Sequence, residues 1–114
     1  MVIILVTMVR RQPYSLIYAP EVREHLRAIG RQHYSLIREA VQEQLGFEPD
    51  HETRNRKPMR QPAPLAAQWE LRCGPENRFR VFYEIDRENR TVHVLAIGVK
   101  DRDRLFIGGE EVEL

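Results

Sequence analysis

Apolar and polar positions along this chain recur with two different periods, and the change of period divides the sequence into halves. In the first half the spacing is helical. Val22, Leu26 and Ile29 lie three or four residues apart and Gly30 ends the run, while Tyr34, Ile37, Val41 and Leu45, widened by Leu36 and Ala40, form a second stripe that Gly46 ends. Pro20 suits the first position of the earlier helix, and Glu21 and Glu24 lie near the positive end of its dipole. Ahead of both, Tyr14 to Tyr18 reads as a short strand. The pattern predicts a strand followed by a helical hairpin that covers one face of a sheet.

From Trp69 onward the period is two. Trp69, Leu71 and Cys73 share one face of a run whose other face carries Glu70 and Arg72; Phe79, Val81, Tyr83 and Ile85 do the same against Arg80, Phe82 and Glu84. Gly74-Pro75-Glu76-Asn77 is turn chemistry, and Arg87-Glu88-Asn89-Arg90 is a polar connection of hairpin length. A third run, Thr91 to Val99, is apolar with little alternation, which predicts a central strand covered on both faces. His93 and Lys100 interrupt it. The expected fold is therefore α+β, with an N-terminal strand and helical hairpin packed on a small antiparallel sheet.

Between the halves, Phe47 to Ala67 holds Pro49, Pro58, Pro62 and Pro64, which forbid a long helix, together with Arg54, Arg56, Lys57 and Arg60. This predicts a long basic loop, and loops of that length in small domains are often functional. As a cluster the four cations suggest a phosphate-binding surface. Singly, each also reads as a charge that solubilises a proline-rich connector.

Composition narrows the picture. A chain of 114 residues with 42% hydrophobic content fits one domain with a modest core. The net charge of +1 argues against a general nucleic-acid binder, but from Arg54 to Arg104 twelve basic residues stand against seven acidic ones, so a local basic surface is compatible with it. Cys73 is the one cysteine and has no ligand spacing with the four histidines; it predicts neither an intrachain disulfide nor structural zinc, and fits a reducing cytoplasm. The opening MVIILVTMV is too short to span a bilayer and has no basic region before it. Residues 1–13 are thus expected as a leader or an extra edge strand, 14–107 as the domain, and 108–114 as an acidic tail.

The order strand, helical hairpin, basic loop and three-stranded meander, together with WELR at Trp69 to Arg72, FRVFYEID at Phe79 to Asp86 and VHVLAIGVKDR at Val92 to Arg102, resembles the RelE/ParE superfamily of type II toxins. TRNRKPM at Thr53 to Met59 is similar to a segment of one RelE-like branch, and the likeness covers roughly residues 14 to 107. It implies a toxin neutralised by a cognate antitoxin protein encoded beside it. RelE-type members enter the ribosomal A site and cut mRNA, whereas ParE-type members poison DNA gyrase. Neither activity calls for a membrane, a cofactor or, in the RNA case, a metal.

Cutting RNA through its 2′-hydroxyl requires a base for that proton, cations for the charge gathering on phosphorus, and an acid for the leaving 5′-oxygen. The resemblance assigns Arg80 to the scissile phosphate and gives Lys100 a second basic position; Arg72, on the neighbouring strand, projects from the same face as Arg80. The pattern departs elsewhere. Two assisting lysines of the best-known RelE branch align with Gln68 and Glu70, and its tyrosine aligns with Phe106. Phe106 lacks a hydroxyl to donate but retains a face on which a base can stack. Glu70 has two readings, a general base or one half of a cross-strand ion pair with Arg80. His93 likewise reads as a proton carrier or as a structural residue. Three outcomes stay open on the sequence: a ribosome-dependent nuclease, an inhibitor that binds without cutting, and a decayed toxin that only binds antitoxin.

Overall fold

A computed structural model describes residues 13–113. Leu114 and all but the last residue of the expected leader lie outside the described residues. Among the described residues seven strands form one sheet: β1 (Ser15–Tyr18), β2 (Arg56–Pro58), β3 (Trp69–Cys73), β4 (Phe79–Asp86), β5 (Thr91–Asp101), β6 (Arg104–Ile107) and β7 (Glu110–Val112). Their order is β2-β3-β4-β5-β6-β7, all antiparallel, and β1 joins β5 in parallel. Helices α1 (Val22–Ile29) and α2 (Tyr34–Leu45) pack on one face.

The helices form where the spacing predicts them. Gly30 breaks the first because its φ of 117° is a conformation that residues with a Cβ rarely adopt, and a short 3-10 turn, Arg31–His33, leads into the second. Val22, Ile37, Val41 and Leu45 descend from the helices onto Leu71, Phe79, Val81, Tyr83, Val92, Val94 and Ile97, and all of these are buried. Each such aliphatic or aromatic side chain contributes roughly 1.5–3 kcal/mol on leaving water. Tyr83 is anchored further, since its hydroxyl donates to the Pro49 carbonyl at 2.7 Å and so pins the start of the proline-rich segment to the core.

The sheet is larger than the meander predicted: β6 extends it from β5, and three more strands join it for separate reasons. Part of the expected basic loop is strand β2, which pairs with β3 through Arg56 opposite Leu71, Lys57 opposite Glu70 and Pro58 opposite Trp69. The expected acidic tail is also built into the sheet: Glu110–Val112 pairs with β6, and Arg104 bonds Glu111 at 2.8 Å. The third reason is β1, whose parallel register sets Ser15 opposite Thr91 and Tyr18 opposite Val94.

The weak alternation of β5 has a physical cause that differs from the expected one. The β4 register passes from Phe82 opposite Ala96 to Tyr83 opposite Val94, which leaves Leu95 as a bulge. Val92 and Val94 on one side of it and Ile97 and Val99 on the other therefore all turn toward the helices. The second face is covered only in part, where Ala67, Phe82, Ala96 and Leu105 form a small buried cluster.

Candidate phosphate-binding site

Glu70, Arg72 and Arg80 meet on the sheet face away from the helices. Arg72 and Arg80 are direct register partners on β3 and β4. Two guanidiniums set opposite each other would repel. The Glu70 carboxylate lies between them, accepting from Arg72 Nε at 2.9 Å through one oxygen and from Arg80 Nη1 at 3.3 Å through the other. The Glu70–Arg80 cross-strand pair is thus present, and Glu70 is one of the few charged residues in the interior. Each Glu70 oxygen accepts from one guanidinium, so the carboxylate holds the two cations together.

Arg80 is fixed from a second direction. Its Nε donates to the carbonyl of Asn77 at 2.9 Å, and its side chain is only 12% exposed. That carbonyl is presented by a turn in which Glu76 and Asn77 both have positive φ, 56° and 55°. Paired left-handed residues other than glycine cost about 1–3 kcal/mol each, and such strain concentrates at functional sites. Next to Arg80 on β5 stands Gly98, where a Cβ would come within 2.7 Å of the Phe106 carbonyl and 3.0 Å of Ile107 Cγ1. Only glycine lets β6 lie this close.

Lys100 sits two residues beyond Gly98, half-buried, and its backbone N–H donates to the Arg78 carbonyl at 2.7 Å. At this end of the sheet a cleft of about 850 Å³ opens between Arg78, Arg80, Lys100, Arg102 and Phe106, and the carboxylates Glu76 and Asp101 and the end of α1 at Ala28 and Ile29 also line it. Arg78 also lies 5.4 Å from the centre of the Phe79 ring. The Phe106 ring lines the cleft but has Arg104 over it at 5.1 Å, so Arg104 competes for the surface on which a base would stack.

The cations of the proline-rich segment are dispersed. Arg56, expected among the RNA-contacting cations, is buried: its Nε donates to the His51 carbonyl at 3.0 Å, and its Nη1 donates to the Gln44 carbonyl. Its guanidinium joins the end of α2 to β2. Lys57 lies opposite Glu70 in the register and 3.6 Å from Glu52. Arg54 is exposed at the same end of the sheet as Arg72, since the neighbouring Asn55 carbonyl accepts the Arg72 N–H at 2.8 Å. Arg60 is exposed beyond the opposite end of β2. His93, opposite Glu84, is also far from the cleft along β5. Arg78 and Arg102 line the cleft although the sequence pattern did not single them out; one belongs to a turn and the other to an alternating charge run, and neither context signals convergence.

Among the described residues no group of histidine, cysteine, aspartate and glutamate is arranged to hold a metal ion, and no helix is long and apolar enough to cross a membrane.

A helical hairpin packed on one face of a small sheet is the architecture of RelE/ParE superfamily toxins. The family described as ParE toxin of the type II toxin-antitoxin system parDE matches residues 16–104, and the chain belongs to it. Among solved structures it is similar to the toxin–antitoxin complex RelBE2 of Mycobacterium tuberculosis, with a TM-score of 0.62, 27% identity, and coverage of 77% of this chain and 99% of that one. A comparison with curated proteins gave no match.

Proposed function

We propose that this toxin arrests growth in the cytoplasm as a ribosome-dependent endoribonuclease, with Arg80, Arg72 and Lys100 holding the scissile phosphate of mRNA. The observation that carries this reading is the anchoring of Arg80 by Glu70 and by the Asn77 carbonyl beside a cleft that also contains Lys100. Attack of the 2′-hydroxyl on phosphorus, with its proton passing to solvent water, forms the 2′,3′-cyclic phosphate as the bond to the 5′-oxygen breaks; charge gathers on the non-bridging oxygens, and cations fixed beforehand stabilise it without reorganising. The Lys100 ammonium supplies a further positive charge and a transferable proton for the departing 5′-oxygen. Glu70 acts here by orienting Arg72 and Arg80. Phe106 offers the aromatic wall, and Arg54 extends the cationic surface from the β2 end.

Two observations favour a second reading, in which the same cations bind a target without cutting RNA, as in a gyrase poison. Phe106 has no hydroxyl, and each oxygen of the Glu70 carboxylate already accepts from an arginine. A reconstituted translation reaction with primer extension along the message separates the two. New 3′ ends that require ribosomes, and that fall at least about 100-fold with Arg80→Ala, are expected from loss of a charge-stabilising donor. Translation halted on an intact message, or inhibition of gyrase supercoiling, would replace the nuclease with the second reading.

A further inference from the structure

The Phe106 ring lines the cation cleft, and the group that lies over this ring is a guanidinium. Arg104 opens β6 two residues before Phe106, so both side chains leave the strand on one face, and the Arg104 Cζ stands 5.1 Å from the ring centre. Strand β7 completes the arrangement. Its Glu111 is the register partner of Phe106, and Glu111 Oε1 accepts from Arg104 Nη2 at 2.8 Å. On the opposite side, Asp101 of β5 is the register partner of Arg104. The bond to Glu111, with Asp101 adding to it, raises the Arg104 pKa above its ordinary value.

What this guanidinium can still bind follows from what it already holds. Two carboxylates beside one cation leave its surroundings negative, which disfavours a phosphate, and the donor edge toward Glu111 is occupied. Its flat surface is different. The Arg104 side chain is 61% exposed, and a guanidinium plane is weakly hydrated and stacks on flat aromatic groups. In single-stranded RNA the flat, uncharged group is the base. Arg78 and Arg102 line the same cleft without an ion pair among the described residues, so their donor edges remain open to phosphate oxygens.

We propose that Arg104, laid on Phe106 and clamped by Glu111, is the residue on which a base of the bound message stacks, in place of Phe106 itself. Phe106 is its support, and Glu111 is a positioning residue. The proposal rests on the reading of this toxin as an enzyme that cuts mRNA, and it gives the acidic end of the chain a task.

The test uses programmed ribosomes and end-labelled messages in which each nucleotide of the A-site codon is replaced in turn by a ribose lacking its base. With the wild-type chain, removal of the stacked base should lower kcat/KM about 10-fold at one codon position. Arg104→Lys keeps the charge and loses the planar surface. On the intact codon it should show a loss of the same size, carried mainly by KM, and at that position it should no longer respond to removal of the base. Glu111→Gln, which frees the guanidinium from its clamp, should show a smaller loss of the same kind. A wild-type chain indifferent to the base at every position, or an Arg104→Lys chain whose loss multiplies with that of the missing base, would overturn the proposal and leave the nuclease standing. Faster cleavage by Arg104→Ala would also overturn it and make Arg104 a cap that a base must displace. If the wild-type chain cuts no message, the nuclease reading falls and the proposal falls with it.

Discussion

A buried guanidinium without an ion pair is held by carbonyls, and Arg56, which has no ion pair among the described residues, is held in this way by His51 and Gln44. Replacing it with alanine would strand two buried acceptors and leave a void. Arg56→Ala is therefore expected to lower stability by about 2–4 kcal/mol. Arg54→Ala, in the same basic segment but exposed, should stay within about 0.5 kcal/mol of wild type. Urea denaturation of the two variants checks the contrast, and equal effects would show that Arg56 does not anchor the segment. The same pair marks the limit of reading residues from sequence. Arg54 and Arg56 look alike in TRNRKPM; only the pairing of Arg56 opposite Leu71 turns its side chain inward. Arg80 was legible because an arginine in an alternating strand demands a partner, and Glu70 supplied one.

Elements were legible where one periodicity ran uninterrupted. Both helices and strands β1, β3 and β4 fall close to their expected spans, whereas β2 was hidden by Pro58 and by being three residues long. The bulge at Leu95 was hidden as well, because a change of strand phase looks from sequence like burial on two sides. β1 and β6 also lie end to end along β5, covering Thr91 to Val94 and Gly98 to Asp101. In the interval between them the Ile97 N–H donates to His25 Nδ1 at 3.3 Å, so an imidazole from α1 stands where a strand would. Burial holds the His25 pKa below its ordinary value, with Glu21 opposing. The unfolded chain therefore takes up this proton at higher pH than the folded one. The contribution is complete above the unfolded pKa and is lost as pH falls through the folded one. Between about pH 7.5 and about pH 5.5 the wild-type melting temperature should fall more than that of His25→Gln. Parallel pH profiles for the two proteins would remove His25 from this role.

At the scale of the molecule, the cation cleft lies at one end of the sheet, where the ends of β4, β5 and β6 meet the end of α1. The α+β class and the division into a helical and a strand-rich half were written in the hydrophobic pattern. The cleft was not, because it draws Arg78, Lys100, Arg102 and Phe106 from the ends of separate strands and turns, and only closure of the sheet assembles them. If these cations track an RNA backbone, the logarithm of affinity for a short single strand should fall with the logarithm of salt at a slope of about −2 to −3, and Arg78→Ala with Arg102→Ala should make it shallower by about 1 to 1.5. Filter binding over a salt series measures both, and a flat response would exclude a phosphate track. The parallel pairing of β1 with β5 also sets a timetable for synthesis. Ser15–Tyr18 has no strand partner until Thr91–Val94 has been made, and closure between such distant segments is slow. The cleft likewise waits for Arg102 and Phe106, which follow β5, so a polypeptide still short of that strand has neither a closed sheet nor a cleft.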